Sequence, residues 1–269
     1  MKKPIGIFDS GVGGLTVYKS IRQRFPEEDL VYFGDTARVP YGPKSPNTII
    51  EYSLQNARFL LQHQIKIMIV ACNTSSSVAL PHLRKITQIP IIAVIEPGAE
   101  NAVLQTKTGK VGVIGTEGTI KSQAYTKAIH AIKPDIEVIS QACPLFVSLV
   151  EEGWADSPIT HSVAMEYLQH LSGKDIDTIV LGCTHYPLLK SLIQNVVSPG
   201  VKLIDSAEAI ASYLQRMLPT EQDGIAGKNE FYVSDNEDKF AHIAIRILGR
   251  DIRFLKRVRL FESWFTDET

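Results

Sequence analysis

Two stretches each end an apolar run on a cysteine. Residues 69–76 read IVACNTSS and residues 178–185 read TIVLGCTH. Cys72 is followed by Asn73, Thr74, Ser75 and Ser76, and Cys183 by Thr184 and His185. A cysteine closing a strand is ordinarily a small, inert hydrophobe. Two at matching places ask for another account. Residues 73–77 are helix N-cap types and the pattern turns helical from Val78, so a helix start lies close behind Cys72. Such a start offers unpaired N–H groups to a carboxylate ligand and favours thiolate over thiol. On that ground the Cys72 pKa is expected below the usual value of about 8.5. Tyr186-Pro187 repeats the device after Cys183, proline being favoured in a helix's first turn.

Asp9-Ser10-Gly11-Val12-Gly13-Gly14 closes another apolar run. Its glycines permit a tight turn and close approach of a ligand. It is neither the dinucleotide fingerprint G-x-G-x-x-G nor a Walker A loop. A carboxylate at this point is placed to exchange a proton with a neighbouring thiol. His185 read alone is a capping or hydrogen-bonded histidine. A zinc site drawing on Cys72, Cys143, Cys183 and His185 lacks any C-x2-C or H-x3-H clamp, so no metal is expected. The other histidines fall in helix-like patterns as surface or core residues. Residues 34–42, GDTARVPYG, form a polar loop after a strand. Asp35, Thr36, Arg38 and Tyr41 either recognise a small zwitterion or turn the chain, and spacing does not choose between the two.

Positioning these residues takes a scaffold of alternating strands and helices. Short β-branched runs at 5–9, 30–34, 66–71, 91–95, 111–114, 136–140, 178–181 and 202–204 predict strands. Helix-like segments at 15–24, 48–62, 76–87, 122–132, 162–171 and 186–195 lie between them. Strands apolar on both faces, separated by helices, predict parallel sheets in an α/β architecture. The chain also repeats itself. Ile5-Gly-Ile-Phe-Asp-Ser-Gly resembles Val111-Gly-Val-Ile-Gly-Thr-Glu, and Cys72 and Cys183 follow at nearly equal intervals. Two similar domains are expected, each offering one cysteine from a strand's carboxyl end, where parallel sheets bind ligands. No Pro/Gly/Ser-rich linker is visible, so the domains are expected to pack together. Arg250, Arg253, Lys256, Arg257 and Arg259 alternate with apolar residues as a surface element with one dry face. Trp264 and Phe265 are expected to cover apolar surface.

Apolar residues make up 44% and charged residues 21% of the 269, which excludes a disordered or fibrous chain and allows one or two domains. A net charge of −1 gives no electrostatic reason for a nucleic-acid or membrane partner. No segment reaches the roughly 20 apolar residues of a membrane span. Asp9 interrupts the apolar start, so no signal peptide is expected. Three cysteines, an odd number, argue against a disulfide framework and for reduced thiols in the cytoplasm.

Taken together, FDSGVGG (8–14), GDTARVPYG (34–42), ACNTSS (71–76), PLFVSLVEEG (144–153) and GCTHYP (182–187) resemble the glutamate racemases in order and spacing. FYVSDNEDKFAHIAIRILG also fits, so the likeness runs from Ile5 to about Leu248. The resemblance implies a cofactor-independent, two-base exchange of L- and D-glutamate that supplies D-glutamate for peptidoglycan. It implies that Cys72 deprotonates D-glutamate and Cys183 deprotonates L-glutamate. Asp9 beside Cys72, and His185 with Glu151 beside Cys183, are then the proton partners. Asp9, Ser10, Tyr41, Gly42, Asn73, Thr74, Thr184 and His185 would form the substrate pocket, Asp9 facing the ammonium group. It further implies two α/β domains related by pseudo-twofold symmetry, with the site between them. The first is discontinuous, 1–97 plus 207–269, and the second is 98–206. A homodimer is expected, with no pyridoxal phosphate, nucleic acid or membrane partner. Some members carry an N-terminal extension linked to activation by a cell-wall precursor, and that regulation is not expected here.

Overall fold

Strands with no polar face need cover on both sides, and in this chain helices supply it. The computed structural model describes residues 2–218 and 224–260. The first half runs β1 Ile5–Asp9, α1 Leu15–Arg24, β2 Leu30–Gly34, α2 Pro46–Leu61, β3 Ile67–Val70, α3 Asn73–Val78, α4 Leu80–Ile86 and β4 Ile91–Ala93. The second runs α5 Ile95–Gln105, β5 Lys110–Gly115, α6 Glu117–Ser122, α7 Ala124–Ile132, β6 Glu137–Ala142, α8 Leu145–Glu151, α9 Pro158–Leu168, β7 Thr178–Gly182, α10 Lys190–Val196 and β8 Lys202–Asp205. Then come α11 Ser206–Met217, β9 Asn229–Val233, α12 Glu237–Leu248 and β10 Leu255–Arg257.

Two sheets result, ordered β10-β9-β2-β1-β3-β4 and β6-β5-β7-β8, with every pairing parallel. The order β2-β1-β3-β4 recurs as β6-β5-β7-β8, so the repeat legible in the sequence is a repeat of topology. Cys72 follows β3 and Cys183 follows β7, the equivalent strands. Along β1, Ile5 and Ile7 point to one side, where they meet Leu15, Tyr18 and Ile21 of α1 and Ile210 and Leu214 of α11. Phe8 points to the other, against Ala57 and Leu60 of α2 and Leu83 of α4. The second sheet is covered likewise, by α8, α9 and α10 on one face and α5 and α7 on the other.

Several element boundaries differ from the sequence pattern. The run 76–87 is two helices broken at Ala79, because Pro81 has no N–H to continue the ladder. The run 91–95 is a strand only to Ala93, and α5 begins at Ile95. The helix read as 122–132 divides at Gln123, whose φ of 56° is left-handed. The one read as 162–171 starts at Pro158, capped by the Ser157 hydroxyl. The basic tail is a strand only over Leu255–Arg257: Ile252 and Leu255 pack on one face of the first sheet, Val258 and Leu260 on the other, and the basic side chains are exposed. Trp264 and Phe265 lie outside the described residues. Among the described residues no helix is long and apolar enough to cross a membrane.

Candidate active site

Parallel strands deliver the residues that follow them to one edge, and both sheets do so here. In the first, Phe8 pairs with Val70, which sets Asp9 beside Ala71 and brings Cys72 up next to it. Helix α3 begins at once, at Asn73, so Cys72 is itself the N-cap. Its Sγ accepts the Ser75 N–H at 3.4 Å and donates to Ser10 Oγ at 3.6 Å. This corrects the expectation of a helix that starts later.

The expectation of a lowered Cys72 pKa is also overturned. Burial, and then the neighbouring Asp9 carboxylate, push the thiol up to about 11, against the pull of Ser75 and Ser10. Desolvation of a residue only 4% exposed outweighs one short helix's N–H groups. Asp9 is fully buried; its carboxylate accepts the Gly11 N–H at 2.9 Å and the Thr184 hydroxyl at 3.4 Å. Burial raises its pKa as well.

In the second sheet Gly115 pairs with Gly182, bringing Thr116 and Cys183 to the same edge. Cys183 is 5% exposed and does not cap an α-helix: residues 186–189 form a 3-10 turn that precedes α10. The device after Cys72 is therefore not repeated. Its place is taken by a chain of side chains. His185 Nδ1 lies 3.8 Å from Cys183 Sγ, and Nε2 lies 3.0 Å from Glu151 Oε1. Burial works against a charged ring, but the sulfur and the carboxylate on its two nitrogens outweigh it and raise the His185 pKa to about 10. Glu151 is desolvated too, yet its bond to His185 holds its carboxyl below the ordinary value.

The two edges face each other across a cavity of about 240 Å³. Its wall includes Ser10, Tyr41, Gly42, Cys72, Asn73 and Thr74 from the first half and Thr116, Cys183, Thr184 and His185 from the second. Asp9 and Glu151 do not line it. They stand one hydrogen bond behind, Asp9 through Thr184 and Glu151 through His185. Asn73 Nδ2 is buried without a hydrogen-bond partner, a donor that an anionic ligand can satisfy.

Two close approaches between the halves at the cavity depend on the absence of a side chain. A Cβ at Gly13 would stand 2.3 Å from Thr184 Oγ1 and 2.5 Å from His185 Nδ1. Next to it, the Thr16 hydroxyl donates to the Thr184 carbonyl at 3.1 Å. At the opposite rim a Cβ at Gly42 would stand 2.9 Å from Thr116, whose hydroxyl is 2.9 Å from that of Thr74.

The 34–42 loop resolves its open question in favour of structure. Asp35 accepts from Arg38 Nε at 2.6 Å and from the hydroxyls of Tyr41 and Ser234. Asn56 joins Arg38 and Tyr41 in the same network. The charged groups thus hold the loop, and residues 39–43 form the rim of the cavity. Thr116, Thr119 and Tyr125 belong to the site's hydrogen bonds and were not singled out from the sequence. Thr116 had a signal, since the internal repeat aligns it with Ser10.

A two-sheet α/β fold with cysteines at equivalent strand ends, lining one cavity, describes a class of proteins rather than a single one. Comparison supplies the family. The model of the Asp/Glu/hydantoin racemase family matches residues 5–214, and the chain belongs to that family. A curated glutamate racemase of Geobacter metallireducens is 51% identical, covering 96% of this chain and 97% of its own. A glutamate racemase structure from Bacillus anthracis is 41% identical with a TM-score of 0.93, covering 96% of this chain and 98% of that one. One from Francisella tularensis, solved with D-glutamate, is 40% identical with a TM-score of 0.89, covering 97% and 99%. Within the family this chain stands with the glutamate racemases, amino-acid isomerases.

Proposed function

We propose that this chain interconverts L- and D-glutamate by moving a proton between Cα and two thiols on opposite faces. The observation that carries the reading is that Cys72 and Cys183, from topologically equivalent strands, line the same cavity. Racemisation must remove a proton from one face of Cα and return one to the other, which takes two opposed acid/base groups. Cys72 takes the proton from D-glutamate and Cys183 from L-glutamate, and in each direction the opposite thiol returns one.

The polar surroundings divide the work. In the resting site Cys72 is suited to giving a proton, since at pH 7 ionising a thiol whose pKa is about 11 costs about 5 kcal/mol. A substrate ammonium drawn in beside Cys72, with the Asp9 carboxylate behind it, would offset that cost. His185 is the proton partner of Cys183, its Nδ1 on the sulfur, and Glu151 holds the imidazole in place. N–H groups at Asn73, Thr74 and Thr184 meet the negative charge that grows as Cα loses its proton. Tyr41 and Gly42 close the rim, excluding water that would weaken these contacts. The same reading divides the chain into 1–97 with 207–269 and 98–206, halves related by a pseudo-twofold. The packing of Ala207, Ile210 and Leu214 among β1 and β3 side chains supports it. D-glutamate made here would serve peptidoglycan synthesis.

The test is incubation with pure L- or D-glutamate in D2O without added cofactor, following optical rotation and loss of the Cα–H signal. Racemisation with solvent deuterium at Cα is expected, and its loss in both Cys72→Ser and Cys183→Ser. Near-normal turnover in either variant rules out the two-thiol mechanism, and turnover of aspartate but not glutamate rules out the substrate.

A further inference from the structure

Asn73 reaches the cavity with one end of its amide already engaged. Tyr125, on α7 of the second half, donates its hydroxyl to Asn73 Oδ1 at 2.7 Å. Asn73 is 2% exposed, and its Nδ2 has no partner. Tyr125 is equally buried and contributes nothing to the cavity wall, so its hydroxyl acts on the site through Asn73.

The ring is held in a slot made by two glycines on different elements. A Cβ added at Gly98 of α5 or Gly182 of β7 would stand 3.1 Å from a ring carbon. The left-handed break at Gln123 starts α7 anew and sets Tyr125 in its first turn. Burial, and then the nearby Cys183 and Asp205, raise the Tyr125 pKa, so the phenol keeps its proton. An amide can turn over about its Cβ–Cγ bond, exchanging donor for acceptor. A phenol that donates selects the orientation in which Oδ1 is bound.

We propose that Tyr125 is a positioning residue whose hydroxyl fixes the Asn73 amide, so that Nδ2 faces the cavity as a donor for a substrate carboxylate oxygen. This rests on the reading of the site as a glutamate racemase. The bond also crosses from one half to the other, so the contact that orients the amide helps hold the two edges at their working separation.

Tyr125→Phe keeps the ring in its slot and removes only the hydroxyl. KM for both glutamate enantiomers is expected to rise about tenfold, with kcat changed less than about threefold and little change in Tm. In an Asn73→Ala background the same substitution should change kcat/KM by less than about twofold, since the residue it acts through is gone. Asn73→Asp keeps an acceptor for Tyr125 but turns a carboxylate oxygen toward the substrate, so kcat/KM should fall at least about 100-fold with the fold intact. This third variant answers the question even if Tyr125→Phe folds poorly. An unchanged KM in Tyr125→Phe, additive losses in the double variant, or an Asn73→Asp enzyme of near-normal KM would each overturn the proposal while leaving the racemase reading standing. A wild-type protein inert toward glutamate would overturn both.

Discussion

Cys72 and Cys183 sit among different neighbours. Around Cys72 are a hydroxyl, a backbone N–H and a buried carboxylate nearby, and around Cys183 is an imidazole backed by Glu151. The first set pushes the Cys72 thiol's pKa up, and the second holds a proton-binding imidazole against Cys183. His185 carries a consequence for stability. Its pKa is about 10 in the fold against 6.5 for an ordinary histidine, so the folded state binds the proton more tightly. That contribution is fully present below about 6.5 and is lost as pH rises through about 10. Urea midpoints should therefore fall between about pH 7 and pH 9.5, and fall less in His185→Asn. The Cys72 thiol, with its raised pKa, adds a loss of the same sign at still higher pH and is common to both proteins. Equal drops in the two would show that the folded protein does not hold the ring's proton.

Among the elements, the loop after β2 holds its rim residues through charges that stand away from the cavity wall. Arg38 stacks over the Tyr52 ring at 4.0 Å and pairs with Asp35, and both side chains are buried. Removing one partner strands the other charge away from water. Asp35→Ala is expected to lower the unfolding free energy by about 3 kcal/mol in denaturant titrations. It should also raise KM, because Tyr41 loses the anchor that holds the rim. A loss under about 1 kcal/mol would mean that Arg38 finds water or another acceptor and that the pair does not organise the loop.

For the whole molecule, the working geometry depends on how closely the two halves meet. Gly13 is the tightest point, and no side chain fits there without moving Thr184 and His185. Gly13→Ala should leave the cores of both sheets intact, with Tm changed by only a few degrees, because it touches neither. On the proposed reading of the site it should still cost at least about 100-fold in kcat/KM, since small displacements of reacting groups are enough to do so. Full activity in this variant would show that the junction is slack and that Thr184 and His185 are placed by their own half.

The alternation of strand and helix, the all-parallel sheets and the matched places of Cys72 and Cys183 were all legible in the chain, because periodicity, strand ends and repeats are local properties. So was part of the cavity wall, Ser10, Tyr41, Gly42, Asn73, Thr74, Thr184 and His185, through motifs that each follow a strand, but not Thr116 or the stretch at 144–148. The sequence could not tell that Asp9 and Glu151 stand behind that wall. Nor could it tell that Asp35 and Arg38 spend their charges on each other, or that burial raises the Cys72 pKa where a helix start alone would lower it. Tyr125 reaches Asn73 across 52 residues and Thr16 reaches Thr184 across 168. Contacts over such separations, and the desolvation that comes with them, exist only once two halves have closed on one another. The chain by itself determined which groups could move a proton, and the tertiary structure decided what each of them has for neighbours.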